Sequence, residues 1–258
     1  MKWIDTHTHL YVKEFDEDFN EVLSRAIASG VKPLLLPNID LSSFDNMILK
    51  CQENPGILYP MLGLHPCDVK EDFSQVLEVL ETKFQPGLFC AVGETGIDLY
   101  WDRSTFDIQK ESFITQIQWA KKWNLPIVIH SRESTGEIIE IIEPLLDERL
   151  RGVFHCFSGT TEHAQAIMQM KTFKLGIGGS ITYKNNPLRT FLNSIPLEYI
   201  ILETDSPYLP PTPHRGKRNE SSFIPIIGDE VATLYQKPID EIAKITTNNA
   251  KTLFNLTA

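Results

Sequence analysis

The sequence of 258 residues has few cysteines, no surplus of positive charge and no long apolar run. Each shortage closes off a class of protein. The four cysteines, Cys51, Cys67, Cys90 and Cys156, form no Cys-x-x-Cys pair, so no thiolate metal cluster is expected. A chain this long buries a core without disulfides, and reduced, mostly buried thiols are expected. Acidic residues outnumber basic ones by 34 to 24, for a net charge of −10. That balance excludes a general electrostatic grip on DNA, RNA or anionic lipid. It leaves room for a small phosphate site inside an acidic protein. The longest apolar runs, Leu34–Leu36 and Tyr199–Leu202, fall far short of a membrane span. The start, Met1-Lys2-Trp3-Ile4-Asp5, lacks the apolar core of a secretory signal, so a cytoplasmic protein is expected. No Gly-x-Gly-x-x-Gly follows the first apolar run, which counts against a dinucleotide-binding sheet.

What is present is an alternation. Eight short apolar runs read as strands buried on both faces: Trp3-Ile4, Pro33–Leu36, Leu58–Leu64, Leu88–Val92, Pro126–Ile129, Val153-Phe154, Phe173–Ile177 and Tyr199–Leu202. Between them lie segments of helical period. Phe15, Phe19, Val22, Leu23, Ala26 and Ile27 form one apolar stripe; Phe44, Met47, Ile48 and Cys51 form another. Phe73, Val76, Leu77 and Leu80 repeat it, as do Ile138, Ile139, Ile141, Ile142 and Leu145, less cleanly around Pro144. Eight strands alternating with helices predict an α/β fold, a (β/α)8 TIM barrel, ahead of an open doubly wound sheet. No linker or composition shift divides the chain, so residues 1–258 are read as a single barrel.

The strand ends carry the chemistry. The first ends in Asp5-Thr6-His7-Thr8-His9, where alternation sends both imidazoles to one side. The fourth ends at Glu94, the fifth at His130, the sixth at His155 and the eighth at Asp205. One strand–helix unit separates Glu94 from His130 and His130 from His155; two separate His155 from Asp205. A barrel collects such residues at the C-terminal face of its strands. Four imidazoles and two carboxylates exceed the needs of one tetrahedral Zn²⁺ and suit two metals sharing a carboxylate. His7 and His9 are assigned to one metal, with Asp205, which also contacts the nucleophilic water. His130 and His155 are assigned to the other, and Glu94 bridges.

These segments resemble the TatD family of metal-dependent deoxyribonucleases, within the amidohydrolase-like barrels. The matching stretches are Asp5–His9, Gly63-Leu-His-Pro66, Gly93–Asp98, Leu125–Ser131, His155–Gly159, Glu203–Leu209 and His214–Glu220, in family order across nearly the whole chain. The resemblance implies the same six ligands. It also implies hydrolysis of nucleic-acid phosphodiesters, as a 3′-to-5′ exonuclease preferring single-stranded DNA, through a water activated by two metals. Glu94 and Asp205 are then the catalytic carboxylates. His65 and Arg215 are candidate phosphate contacts, with Lys217 and Arg218 behind them. Tyr100 and Trp101 are candidates for stacking a terminal base, with Phe157 a weaker one. Asp98 reads equally as support for a ligand or as a cap on local backbone. Cys156 is expected to point away from His155, into the core. Two divalent ions, Mg, Mn or Zn, are the expected cofactors. The family implies Mg²⁺, while four imidazoles suit a transition metal, at least at His130 and His155. The competing reading is a two-metal hydrolase of another ester, a lactone or an amide. Neither the oligomeric state nor the choice of DNA over RNA is written in the residues.

Overall fold

The computed structural model describes residues 1–256. In chain order the elements are β1 (Trp3–Asp5), α1 (Phe19–Ala28), β2 (Val31–Leu36), α2 (Leu41–Glu53), β3 (Leu58–Leu62) and α3 (Phe73–Thr82). Then come β4 (Ala91–Asp98), α4 (Phe106–Trp123), β5 (Ile127–Arg132), α5 (Thr135–Ile142), β6 (Gly152–Phe154) and α6 (Thr161–Gln169). The chain continues through β7 (Phe173–Ile177), β8 (Ile200–Leu202), α7 (Ile224–Tyr235) and α8 (Ile239–Phe254). The eight strands are parallel and pair in sequence order. β8 returns to β1: Thr6 N–H donates to Leu202 O (3.2 Å), Asp205 N–H to His7 O (2.9 Å) and His9 N–H to Ser206 O (2.8 Å). This is the expected (β/α)8 barrel.

Each of the eight predicted runs falls on a strand, although of the fourth only Ala91 and Val92 belong to β4, which continues to Asp98. The alternation with helices breaks once: short 3-10 turns, with no α-helix, link β7 to β8. Pro187 and Pro196, with Gly178-Gly179 at the start, interrupt any helical run there.

Two cores form. The outer one lies between strands and helices and takes Trp3, Leu34, Leu36, Val92, Ile129, Phe154 and the buried faces of the helices. The inner one gathers Ile4, Leu35, Met61, Ala91, Val128, Val153 and Ile201, one residue from each of β1–β6 and β8. Ala250, Leu253 and Phe254 of α8 join it and close the end opposite the ligands. With that end closed by packed side chains, the interior opens only at the C-terminal face.

Counting from these inward residues shows how each ligand is aimed. Alternation from Val128 turns His130 inward; from Val153, His155; from Ile201, Glu203, while Asp205 lies beyond β8 with a left-handed backbone (φ 60°). Alternation from Ile4 would turn His7 and His9 outward, and from Ala91 it would turn Glu94 outward. Two irregularities reverse this: β4 carries one residue more than β5 between Val92 and Thr95, and His7 and His9 lie beyond β1, after a bend at Thr6. Glu94 lies inside β4 and not at its end. Gly96 lets this irregular strand press on β5: a Cβ there would sit 2.1 Å from His130 O, at φ 142°.

Candidate metal centre

The β1 and β8 ends are held together by specific side-chain contacts. Asp5, fully buried, accepts from His7 N–H (3.3 Å), Thr204 N–H (2.9 Å) and Thr204 Oγ1 (2.6 Å). It thus ties the His7 turn to the strand end bearing Asp205. Burial pushes its carboxyl up to about 7, against those hydrogen bonds. Thr8 Oγ1 and Ser206 Oγ share a hydrogen bond of 2.6 Å across the same seam.

His7, His9, Glu94, His130, His155 and Asp205 form one cluster, organised around Glu94. Glu94 Oε2 lies 3.0 Å from His7 Nε2 and 3.7 Å from His9 Nε2. Glu94 Oε1 lies 2.9 Å from His130 Nδ1, 3.5 Å from His65 Nε2 and 3.7 Å from His155 Nε2. Each carboxylate oxygen therefore serves a separate group of imidazoles. Asp205 Oδ1 lies 3.6 to 3.8 Å from the Nε2 atoms of His9, His155 and His7. The His7 and His155 rings stack at 3.5 Å.

Burial raises the cost of charge on Glu94, but His7, His65, His155 and the His130 hydrogen bond outweigh it and hold the carboxyl well below its usual range. Asp205 is held low for the same reason: burial opposes ionisation, and His155, His9 and His7 overcome it. Burial, then the neighbouring His155, keeps His7 below its ordinary value. His155 goes the other way: burial lowers it, and Glu203, with other acidic neighbours, more than reverses that.

The donor set fits divalent cations. His7 Nε2 and His9 Nε2 face each other at 3.3 Å, so at most one of them carries a proton. Both also face Glu94 and Asp205, and a shared cation satisfies neutral nitrogens and carboxylate oxygens at once. The ligand atoms of His7, His9 and Glu94 lie within 4.8 Å of one another, as do those of His65, Glu94 and His130. The second group contains His65, expected to touch substrate, beside His130. The His65 and His130 rings meet edge to face at 4.6 Å.

Two groups support the ligands: Glu203, not assigned from the sequence, and Asp98. Glu203 Oε1 lies 2.9 Å from His155 Nδ1, an ion-pair contact without hydrogen-bond alignment, and accepts the Cys156 N–H. Gly176 makes room for it: a Cβ there would lie 2.4 Å from Glu203 Oε2. Glu203 stands two residues before Asp205, so the alternation that paired His7 with His9 could have found it. Asp98, left between two readings, does both jobs. Its Oδ2 lies 2.8 Å from His130 Nε2, and its Oδ1 accepts from Tyr100 N–H (3.0 Å) and Trp101 N–H (3.2 Å). Burial resists ionisation, but the His130 contact leads the effects that bring its carboxyl to about 2.

Cys156 corrects an expectation. It takes a left-handed backbone (φ 43°), which cancels the alternation after His155. Its Sγ joins His155 and Asp205 in a ligand group, and the residue is half-buried. Arg218 is also reassigned. It donates to both carboxylate oxygens of Asp18 (2.8 and 2.6 Å), so its guanidinium is committed to the scaffold. Arg215 is exposed, its guanidinium 4.4 Å over the Tyr183 ring. Tyr100 is 49 % exposed and Trp101 71 %, with their rings perpendicular at 4.9 Å. Arg132 covers one face of Tyr100, at 3.8 Å. Phe157 is buried and presents no free face.

The family model described as TatD related DNase matches residues 4–255. The chain is 37 % identical over 253 residues to the uncharacterized metal-dependent hydrolase YabD of Bacillus subtilis, covering 98 % of each. It is 30 % identical over 258 residues to the 3′-5′ ssDNA/RNA exonuclease TatD of Pantoea vagans, covering 98 % of this chain and 99 % of that one. Among solved structures, the TatD homologue YjjV of Escherichia coli K12 superposes with a TM-score of 0.89 at 32 % identity, covering 99 % of this chain and 98 % of that one.

Proposed function

The chain belongs to the TatD-related DNase family and is a metal-dependent hydrolase; we propose that it removes nucleotides from the 3′ end of single-stranded DNA by hydrolysing the terminal phosphodiester. The observation that carries this reading is the division of Glu94, with one oxygen toward His7 and His9 and the other toward His130, His65 and His155. Such a bridge suits two cations, one with His7, His9 and Asp205, the other with His130 and His155. Divalent cations held there supply Lewis acidity toward the phosphate and lower the pKa of a water.

The chain's own residues do the rest. Asp205, held as a carboxylate, orients the water and accepts its proton. The water oxygen bonds to phosphorus, and the bond from phosphorus to the 3′ oxygen of the preceding nucleotide breaks. That oxygen takes a proton from solvent, and a 5′-mononucleotide leaves. His65, beside Glu94, donates to a phosphate oxygen. Arg215 offers a charge-assisted contact from the loop after β8. Trp101 and Tyr100 offer ring faces to a base. The polarity and the choice of a single strand follow the name of the Pantoea relative.

The test is end-labelled single-stranded DNA with EDTA, Mg²⁺, Mn²⁺ or Zn²⁺, and Asp205→Asn run in parallel. Stepwise shortening from the 3′ end is expected, abolished by EDTA and slowed about 10²- to 10⁴-fold in the variant. No shortening with any cation, from protein that binds two metals per chain, overturns the reading in favour of another ester, lactone or amide.

A further inference from the structure

Three large side chains meet at the barrel mouth without burying one another. The Arg132 guanidinium carbon lies 3.8 Å from the Tyr100 ring centroid and 5.4 Å from that of Trp101, within cation–π range. All three residues are exposed. Arg132 has no ion-pair partner among the described residues, although its neighbour Glu133 pairs with Arg103 at 2.9 Å. A core does not account for an exposed tryptophan carrying an unpaired guanidinium.

Placement supplies the account. Arg132 follows His130 by two residues in β5, so both project toward the mouth, Arg132 about 7 Å farther out. That displacement is on the scale of one nucleotide in an extended strand. Asp98 fixes the whole arrangement to the ligand cluster. It pairs with Arg132 in the β4–β5 register, contacts His130 through one oxygen, and holds the N–H groups of Tyr100 and Trp101 through the other. Held over the Tyr100 ring, the Arg132 guanidinium makes no side-chain hydrogen bond among the described residues, so its N–H groups are free, and it loses little entropy on binding. Its fork matches a phosphate. On a chain of net charge −10, such a local cation must do the attracting.

We propose that Arg132, seated on Tyr100 and Trp101, grips the phosphodiester next to the one that is cleaved. The site thereby reads a strand with at least two linkages, not a single phosphate ester. This rests on the nucleic-acid reading given above. Asp98 is the positioning residue that keeps the grip in step with His130.

The test is a mutant cycle between Arg132 and that phosphate. The substrate is a single-stranded oligonucleotide, all-phosphodiester or with a neutral methylphosphonate at the second linkage from the 3′ end. Full-length wild type, Arg132→Gln and Arg132→Lys are compared by KM and kcat in the activating metal. In the wild type, neutralising that linkage raises KM about tenfold. Arg132→Gln raises KM about tenfold on the natural strand and loses nothing further to the methylphosphonate. Arg132→Lys, which keeps the charge without the planar fork, falls between them. The slope of log affinity against log salt is shallower in Arg132→Gln by about 0.7. A methylphosphonate cost equal in wild type and Arg132→Gln overturns the proposal while leaving the nuclease reading intact. Failure of the wild type to cleave any oligonucleotide overturns the nuclease reading itself, and this inference with it.

Discussion

Five of the six ligands sit on two seams of the barrel that are built differently, and His155 follows β6 between them. β4 and β5, of eight and six residues, share a ladder from Val92–Ile127 to Asp98–Arg132, and Glu94 and His130 ride on it. β1 and β8 have three residues each, yet His7, His9 and Asp205 hang from their ends. Side chains there reinforce the three backbone hydrogen bonds that close β8 onto β1. Asp5 grips Thr204, Thr6 Oγ1 donates to Leu202 O, Thr8 meets Ser206, and Asn219 donates to Thr204 O. One half of the cluster thus depends on a regular ladder with a local irregularity. The other depends on a buried polar network, where each lost partner strands others.

The largest difference between the seams is expected at Asp5. Asp5→Ala leaves the His7 N–H, Thr204 N–H and Thr204 hydroxyl without their acceptor in a buried place. At about 1 kcal/mol or more for each orphan, the loss is roughly 3 kcal/mol. Thermal melting of the metal-free protein should show Tm lowered by at least about 6 °C. A variant that melts with the wild type would mean that the β1–β8 seam is held by backbone after all.

Asp98→Asn probes the other seam, where the ladder survives and only the support of His130 changes. Metal affinity is expected to fall about 10- to 100-fold, with little change in Tm. Metal titration of EDTA-stripped protein measures the first, and a melt of the same sample the second. A Tm loss as large as that of Asp5→Ala would erase the contrast.

The smallest effect lies behind the β1–β8 seam, where Arg25 donates to Glu220 and Arg218 to Asp18. Burial pushes the Glu220 carboxyl up, but Arg25 outweighs it and leaves it below its ordinary 4.5; Arg218, through its hydrogen bond, lowers Asp18. A depressed folded-state value means stability that is present above the ordinary range and lost as pH falls through the folded one. Glu220→Gln should therefore melt at most about 3 °C below the wild type at pH 7, with the gap closing below about pH 4. A gap that widens in acid reverses the sign and refutes the pairing.

Much of this was legible beforehand, for reasons that differ by residue. His130 and His155 continue the alternation of regular strands, so position in the sequence translated directly into direction. Tyr100 and Trp101 were legible as aromatics beyond a strand. That Arg132 occupies a Tyr100 face was not, because it depends on β4–β5 register. Arg218 read as a free cation until Asp18, 200 residues away, was brought beside it.

By itself, the sequence determined the eight strands and the chemistry of the six clustered residues, because apolar period and residue type are local properties. The tertiary structure alone decided the rest. The extra residue in β4 turns Glu94 inward, and the bend after β1 turns His7 and His9 inward, both against simple alternation. A left-handed residue brings the Cys156 thiol to the cluster. Glu94 can face two groups of imidazoles only where closure of β8 onto β1 brings residues nearly 200 positions apart within a few ångströms. Such distances are set by packing, which no local pattern of residues encodes.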